Sequence, residues 1–431
     1  MSAKGELTKQ KVDVLIVGGG PAGLAAAIAV KEKGVDSVLI LEREANLGGI
    51  LCQCIHNGFG LHRFKQELTG PEYAQLDIDQ IEELKIPFQC NTTVLSVEKD
   101  RTVTAISAKR GLQLFEAKTI ILAMGCRERP RGALATPGTR CSGVFSAGTA
   151  QKFVNMDGYM PGKKVVILGS GDIGLIMARR MALQGAKVLA CVEIMPYSSG
   201  LNRNIVQCLE DYDIPLLLEH TVVDIEGKER LEAVTIAKVD EKRNPIKGTF
   251  QRLECDTLLL SVGLIPENEL SEGAEVKISP LTGGPEVDND FETNVPGIFA
   301  CGNVLHVHDL VDYVSAESFK AGEGAVALVK GDRKKGKSIQ VQDGAGVRGT
   351  VPQKITMYEQ EDSFAPIDLM FRPDKVYEKA TVIVNAGGEE ILRKKGQIFT
   401  PGEMAMITLT GVHLEKIRQR GADEITVAME K

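Results

Sequence analysis

Two glycine-rich turns, each set between an apolar run and a distant acid, constrain this chain more than any other feature. The first, Gly18, Gly20 and Gly23, follows an apolar run at residues 12–17 that reads as a strand buried on both faces. An Ala-rich helix runs on to about residue 34, and a strand at 37–41 ends at Glu42. The order then repeats: strand 163–168, the glycines Gly169, Gly171 and Gly174, a helix to about 185, strand 186–192, and Glu193. In both copies the acid lies 19 residues beyond the last glycine. A lone glycine turn says little, but strand, turn, helix, strand and acid, twice over, specify a pair of βαβ units.

Each part of that pattern has a physical task. The first glycine permits a tight turn, the second lets backbone approach a pyrophosphate, and the third lets helix and strand pack closely. Phosphate then sits at the helix N-terminus, and the acid accepts from ribose hydroxyls. The chain is therefore expected to hold two dinucleotides. A carboxylate at Glu193 accepts from a free 2′-hydroxyl and repels a 2′-phosphate, which favours NAD(H) over NADP(H) at the second turn.

Composition narrows the class. Lys+Arg 51 against Asp+Glu 58 gives a net charge of −7, which argues against nucleic acid or an anionic membrane as the main partner. Glycine is abundant at 45 of 431 residues, aromatics are 5% and Trp is absent, a balance that suits α/β domains holding ligands against backbone. The longest uncharged apolar stretch, 14–30, is broken by Gly18, Gly19, Gly20 and Pro21 and is too short to span a bilayer comfortably. No export segment is read in Met1-Ser-Ala-Lys-Gly-Glu6, and nine scattered cysteines read as reduced thiols, so the expected location is cytoplasmic. The sequon at Asn91-Thr92-Thr93 is then expected to be inert.

Two further apolar runs close on glycine, 118–125 at Gly125 and 256–263 at Gly263. A late segment, 293–303, precedes a helix expected over about 316–329 with Ser315 as its cap. The polar, basic run 330–337 reads as a linker. Beyond it, short β-type runs (379–384, 404–409, 425–428) and one helix near 413–420 suggest a small separate domain. The expected fold is α/β, with two Rossmann-like domains, the second inserted in the first, plus a small C-terminal α+β domain. Expected boundaries are 10–135 with 266–332, then 136–265, a linker at 333–349, and 350–431.

This ordered set over residues 10–330 resembles the pyridine nucleotide–disulfide oxidoreductases. The resemblance implies FAD on the first unit and NAD(P)H on the second. Carried over by motif, the FAD contacts are Gly18, Gly20, Pro21, Ala22, Gly23, Glu42, Arg43, Gly49, Ile50, Val94, Ala123, Gly125, Gly302, Asn303, Ser315 and Ala316. Those for NADH are Gly169, Gly171, Ile173, Gly174 and Glu193, with Gly263 closing the second crossover. Gly48 and Gly49 would pass the flavin. Asn303 stands where the family usually has an aspartate; its amide oxygen still accepts from a ribityl hydroxyl but brings no charge.

The cysteines are the departure. Both dithiol positions of the family lack thiols: Leu51 and His56 fill one pair, Ala147 and Ala150 the other. Cys52 and Cys54 remain, but a one-residue spacer strains an intramolecular disulfide. Strand-like alternation would turn both thiols to one side, leaving packing, flavin tuning, one redox thiol or a metal contact open. Cys54 and His56 are the catalytic candidates, His56 as a proton donor near the reduced ring or else a hydrogen-bonded loop histidine. His306, His308 and Asp309 read as metal ligands, a redox-partner contact or a structural loop, and no metal site is expected. Arg127, Arg129 and Arg131 mark a hinge or solvated charge.

A finer resemblance rests on 48–60, 301–309 and the C-terminal domain. It is to bacterial NAD-linked flavoprotein subunits that accompany a glycerol-3-phosphate dehydrogenase/oxidase-like flavoprotein, with related subunits in sarcosine and opine oxidases and cyanide-forming amino-acid dehydrogenases. It implies hydride exchange between NAD(H) and flavin, with electrons passed to or from a partner flavoprotein or small redox protein, in an oligomer or complex. The C-terminal domain would be the docking surface, and deleting 338–431 would spare dye reduction. The alternatives are a subunit without turnover of its own, and a disulfide reductase using Cys52 and Cys54.

Overall fold

The computed structural model describes residues 9–333, 336–358 and 364–430. The N-terminal segment Met1 to Glu6 and two lysines of the basic run, Lys334 and Lys335, lie outside the described residues. The chain forms two compact units, residues 1–126 with 266–431, and residues 127–265.

In the first unit, strand β1 (Lys9–Val17) is followed by helix α1 (Pro21–Glu32) and strand β2 (Val38–Leu41). β1 lies parallel to β2, from Val14↔Val38 to Val17↔Leu41, and on its other side parallel to β3 (Gly111–Leu122), ending at Val17↔Leu122. Val14, Leu15 and Ile16 are fully buried, which is why this run is apolar without alternation. Truncating Leu15 to Ala would cost about 2–5 kcal/mol. β3 extends further back than its apolar run: its first half pairs antiparallel with Thr102–Ser107 and its last residues pair parallel with Ile298–Ala300.

The second unit repeats the plan. Strand β4 (Lys164–Leu168), helix α2 (Asp172–Leu183), strand β5 (Lys187–Val192) and strand β6 (Thr257–Leu260) form its core, with β4 parallel to both β5 and β6. A three-stranded antiparallel sheet, His220–Gly227, Leu231–Lys238 and Gln251–Glu254, completes it.

Back in the first unit, helix α3 spans Val311–Lys330 and ends on Gly331 in the left-handed conformation. It starts five residues before the expected 316, with Leu310 at its N-cap, so Ser315 does not cap it. Ser315 is fully buried in the helix, its hydroxyl against Tyr73 Oη (2.8 Å) and Arg63 Nη1 (3.1 Å). Asp312 supplies the first-turn acid instead.

The expected linker at 333–349 is strand: Gly336–Asp343 and most of Val347–Val351 fall in it. The C-terminal sheets pair Lys354–Tyr358, Gly336–Asp343, Glu424–Glu430, Thr381–Ala386 and Glu389–Lys395 in one, and Val347–Val351, Ile367–Pro373 and Ala405–Leu409 in the other, with helix Gly411–Arg420. This region has its own apolar core but is stitched to the first dinucleotide fold. Val351 packs into that fold's core. Arg333 bridges to Asp288 (2.9 Å) and Glu292, Arg372 to Asp309 (2.5 Å), and Lys320 to Asp368 (2.8 Å); Tyr358 donates to Asp290. A freely removable docking module is therefore not what the structure contains. Among the described residues, no helix is long and apolar enough to cross a membrane.

Candidate functional site

The two glycine turns are built alike. β1 delivers the chain to Gly18, whose N–H donates to Leu41 O (2.9 Å), and α1 begins with Gly20 at its N-cap and Pro21 at N1, without a side-chain cap. The orphan amides of that first turn are thus left to a ligand. The three glycines are not equivalent. A Cβ at Gly23 would stand 1.9 Å from Gly18 O, so Gly23 is required by the protein's own packing. At Gly20 the nearest atom to such a Cβ is Gly49 Cα at 3.8 Å, and the backbone there is extended (φ −77°). Nothing in the protein forbids a side chain at Gly20, which fits a position kept bare for an approaching pyrophosphate.

The acids at the strand ends have a second task that the motif does not announce. Glu42 is 6% exposed, and its Oε2 accepts from Gly19 N (2.6 Å) while Oε1 accepts from Glu44 N (2.7 Å). Glu193 is 5% exposed, its Oε2 accepting from Ser170 N (2.9 Å) and Ser170 Oγ (2.6 Å), and its Oε1 from Met195 N (2.9 Å). In both units a buried carboxylate ties the residue after the first glycine to the residue two beyond the acid. Its charge is satisfied by donors that simultaneously fix the turn. The shared spacing, Gly19 to Glu42 and Ser170 to Glu193, was the available signal. A loop missed by sequence reasoning lies along the second turn: Asp172 Oδ1 accepts from Leu201 N (2.8 Å) and Asn204 Nδ2 (2.6 Å), and Ser198 Oγ donates to Ser170 O (3.1 Å).

In the first unit, several other predicted contacts converge on its turn. Gly48 N donates to Gly19 O (2.8 Å), and Gly49 lies so close that a Cβ there would reach 2.9 Å of Gly20 Cα. Ile50 follows, 59% exposed. Ala123 is buried and donates to Val17 O (2.9 Å), and Gly125 O accepts from Glu267 N (3.0 Å). Gly302 packs against Ala22, where a Cβ would come within 2.7 Å. Val94 is half-buried in strand Thr92–Val97, Arg43 is solvent-exposed and Ala316 lies in α3. In the second unit Gly169 N donates to Val192 O (2.7 Å), Gly171 caps α2, Ile173 is half-buried in its first turn, and a Cβ at Gly174 would meet Ser261 Cβ at 2.7 Å. Gly263 O accepts from Arg129 N (3.0 Å), and the unit boundary falls at 126/127, just before the arginine cluster.

The cysteine pair differs from expectation. Cys52 lies in a 3₁₀ turn, Gly49–Gln53, with Cys54 at its end, so there is no strand alternation. Cys52 Sγ donates to Leu47 O (3.4 Å) and Cys54 Sγ to Ile50 O (3.3 Å), and neither forms a disulfide. Burial pushes both thiols up, Cys54 to about 12, with Cys52 adding to the shift. A thiol held protonated at neutral pH is not a nucleophile. His56 is half-buried with its ring against Phe59 at 5.0 Å.

Around Gly302 the late segment is tightly held. Gly302 N donates to Glu317 Oε1 (2.7 Å), and Asn303 Oδ1 accepts from His308 N (3.0 Å), so the oxygen assigned to a ribityl hydroxyl already has one donor. Asp309 turns away to Arg372 and Met404 N (2.6 Å). The carboxylate that meets the histidines is Glu317, from α3: His306 Nε2 lies 2.6 Å and His308 Nε2 3.3 Å from its Oε2. Burial holds His306 below its ordinary value, leaving it neutral and able to donate to an ionised Glu317.

Comparison with known proteins agrees with this architecture. The sequence profile of the pyridine nucleotide-disulphide oxidoreductases matches residues 12–330. The chain is 28% identical over 279 residues to hydrogen cyanide synthase subunit HcnB of Pseudomonas protegens, covering 60% of this chain and 58% of the relative. It is 29% identical over 353 residues to the small chain of the NADPH glutamate synthase of Mycobacterium tuberculosis, covering 73% and 66%. The chain thus spans less than two thirds of the length of either relative. A crystal structure of T. acidophilum thioredoxin reductase superposes with a TM-score of 0.62 at 24% identity, over 74% of this chain and 99% of that one. The fold is the two-Rossmann-domain α/β fold, with mixed parallel and antiparallel sheets. Relatives in this group bind FAD and NAD(P)H and carry out NAD(P)H–flavin oxidoreduction. With two carboxylate-tied glycine turns and a matching profile across both, the chain belongs to the pyridine nucleotide-disulphide oxidoreductase family of flavoproteins.

Proposed function

We propose that this chain exchanges hydride between NAD(H) and FAD and passes electrons directly to or from a separate acceptor. The observation that carries the reading is the pair of carboxylate-tied turns, each with a bare second glycine, together with thiols held protonated beside the first turn. FAD, when bound, supplies the electron-accepting ring. Gly20, Gly23 and the first-turn amides of α1 would hold its pyrophosphate and Glu42 its adenosine ribose. Gly49, Ile50, Gly302 and Asn303 would line the path to the ring. Gly171, Gly174 and Glu193 would hold NADH, the charge on Glu193 disfavouring a 2′-phosphate. His56 is the proton donor of this scheme.

Cys54 is left out of it: its thiol is buried and donates to Ile50 O (3.3 Å), and burial pushes it up, which disfavours the thiolate needed to attack a disulfide. With Leu51, His56, Ala147 and Ala150 at the dithiol positions, electrons leave without a thiol relay. The acceptor is a partner flavoprotein or small redox protein. A glycerol-3-phosphate dehydrogenase-like partner is suggested by the runs at 48–60 and 301–309, and membership in a complex by relatives that are themselves single components of larger enzymes. Nine cysteines, none of them in a disulfide, suit a reducing cytoplasm. Steady-state dye reduction tests the scheme: NADH should outperform NADPH, and the Cys52→Ser/Cys54→Ser protein should match wild type. Loss of dye reduction in that folded variant would return the thiols to the pathway.

A further inference from the structure

We propose that His306, His308 and Glu317 form a buried site for a divalent transition metal, with zinc its natural probe. Their ligand atoms all lie within 4.8 Å of one another, and the three side chains are 5%, 1% and 1% exposed. Two imidazoles and one carboxylate are a donor set that divalent zinc and iron take readily. The arrangement comes from two elements. The loop after Gly302 brings in the histidines, and Glu317 reaches them from α3.

A structural cluster of hydrogen bonds accounts for only part of this. Glu317 and His306 satisfy one another at 2.6 Å, but neither ring nitrogen of His308 has a hydrogen bond of acceptable geometry, although that side chain is 1% exposed. A buried imidazole whose one polar approach, Nε2 to Glu317 Oε2 at 3.3 Å, lacks hydrogen-bond geometry costs free energy that a metal bond would remove. The neighbouring Arg372 is paired with Asp309 rather than with Glu317, whose carboxylate faces the two imidazoles and the Gly302 N–H. A dication supplies what the site lacks.

The supports around the ligands match a metal centre. Glu317 Oε1 is fixed by Gly302 N–H at 2.7 Å, leaving Oε2 for the metal, and Asn303 Oδ1 holds the His308 backbone N–H at 3.0 Å. Such outer partners orient the ligands. On binding, the N–H that His306 gives to Glu317 is lost and the ring takes its other tautomer. The metal site shares Gly302 and Asn303 with the proposed flavin path, but its ligands are other residues and the inference does not require flavin to be bound.

The test uses the full-length protein expressed in zinc-supplemented medium, desalted, and analysed for metal by plasma mass spectrometry. Zinc should be stoichiometric with the chain. His308→Ala and Glu317→Gln should each weaken retention by more than the ~10–100-fold that loss of an outer partner costs, while His413→Ala and Cys52→Ser/Cys54→Ser leave it unchanged. X-ray absorption of the wild-type sample covers the case of variants that fail to fold. A shell of nitrogen and oxygen near ~2.0–2.1 Å with imidazole scattering supports the site, whereas sulfur near ~2.3 Å overturns it. Metal-free wild-type protein, or zinc retained equally by His308→Ala, also overturns it and leaves a proton-sharing cluster.

Discussion

Replacing Glu193 by Gln probes the second turn with almost no change of volume. The carboxylate accepts three hydrogen bonds, two from Ser170 and one from Met195 N. An amide can keep its oxygen on Ser170 only by presenting NH₂ to Met195 N, so one donor loses its acceptor, at about 1–3 kcal/mol. The two Ser170 bonds also fall from charge-assisted to neutral strength, about 1 kcal/mol each. The turn is then weakened by about 3–5 kcal/mol, and a ribose hydroxyl loses an ionised acceptor. NAD+ affinity should drop tenfold to a hundredfold, or ~1.4–2.8 kcal/mol. NADP+ should lose less, because repulsion of its 2′-phosphate is relieved. Calorimetric titration with NAD+ and NADP+ reads both without reducing the flavin. Bound flavin should be unchanged, while Glu42→Gln should show the reverse pattern. NAD+ affinity within twofold of wild type in a folded Glu193→Gln protein would refute the assignment of this turn.

The glycines separate packing from ligand approach. Gly20→Ala should purify without flavin and melt like flavin-free wild type, whereas Gly23→Ala should be destabilised outright, since its Cβ would stand 1.9 Å from Gly18 O; thermal melts and visible absorbance distinguish them. Asp288 is raised to about 6 by burial, with Asp290 next to it adding to the shift. The folded state therefore binds its proton more tightly than the unfolded chain, and this group's contribution to stability is present near pH 4 and falls as pH rises through 6. About two units from the ordinary value of 3.8 correspond to roughly 3 kcal/mol. In urea titrations from pH 4 to 7, Asp288→Asn should gain stability relative to wild type as pH rises; a constant difference would count against it. Deleting 338–431 should lower the melting temperature and release flavin, because Asp290 would lose Tyr358 and Asp309 would lose Arg372. Retained flavin and dye activity in the truncated chain would favour the removable docking module instead.

What was legible in the sequence was local. Both βαβ units could be read because strand, turn, helix and acid fall within one stretch and each signal has its own period. Ser315 was misplaced because it is a favoured capping residue, and what overrides that preference, Tyr73 and Arg63, lies 242 and 252 positions away. The Cys52 and Cys54 alternation failed for a similar reason: Gly48 and Gly49 adopt positive φ and turn the chain into a 3₁₀ coil against Gly20. The linker expected at 333–349 ran too far, because Gly336–Asp343 is a strand whose parallel partner lies far off at Glu424–Glu430. Glu317 was missed beside the histidines because Asp309 is adjacent in sequence, while the carboxylate that reaches them projects from the second turn of α3.

The most direct test of the central claim is an anaerobic titration of the purified flavoprotein with NADH, followed by bleaching of the visible flavin bands and repeated with NADPH. The account predicts bleaching by one equivalent of NADH per flavin, slower with NADPH, and the same result in the Cys52→Ser/Cys54→Ser protein. Bound flavin that NADH leaves oxidised, or bleaching that disappears with the two thiols, would contradict it.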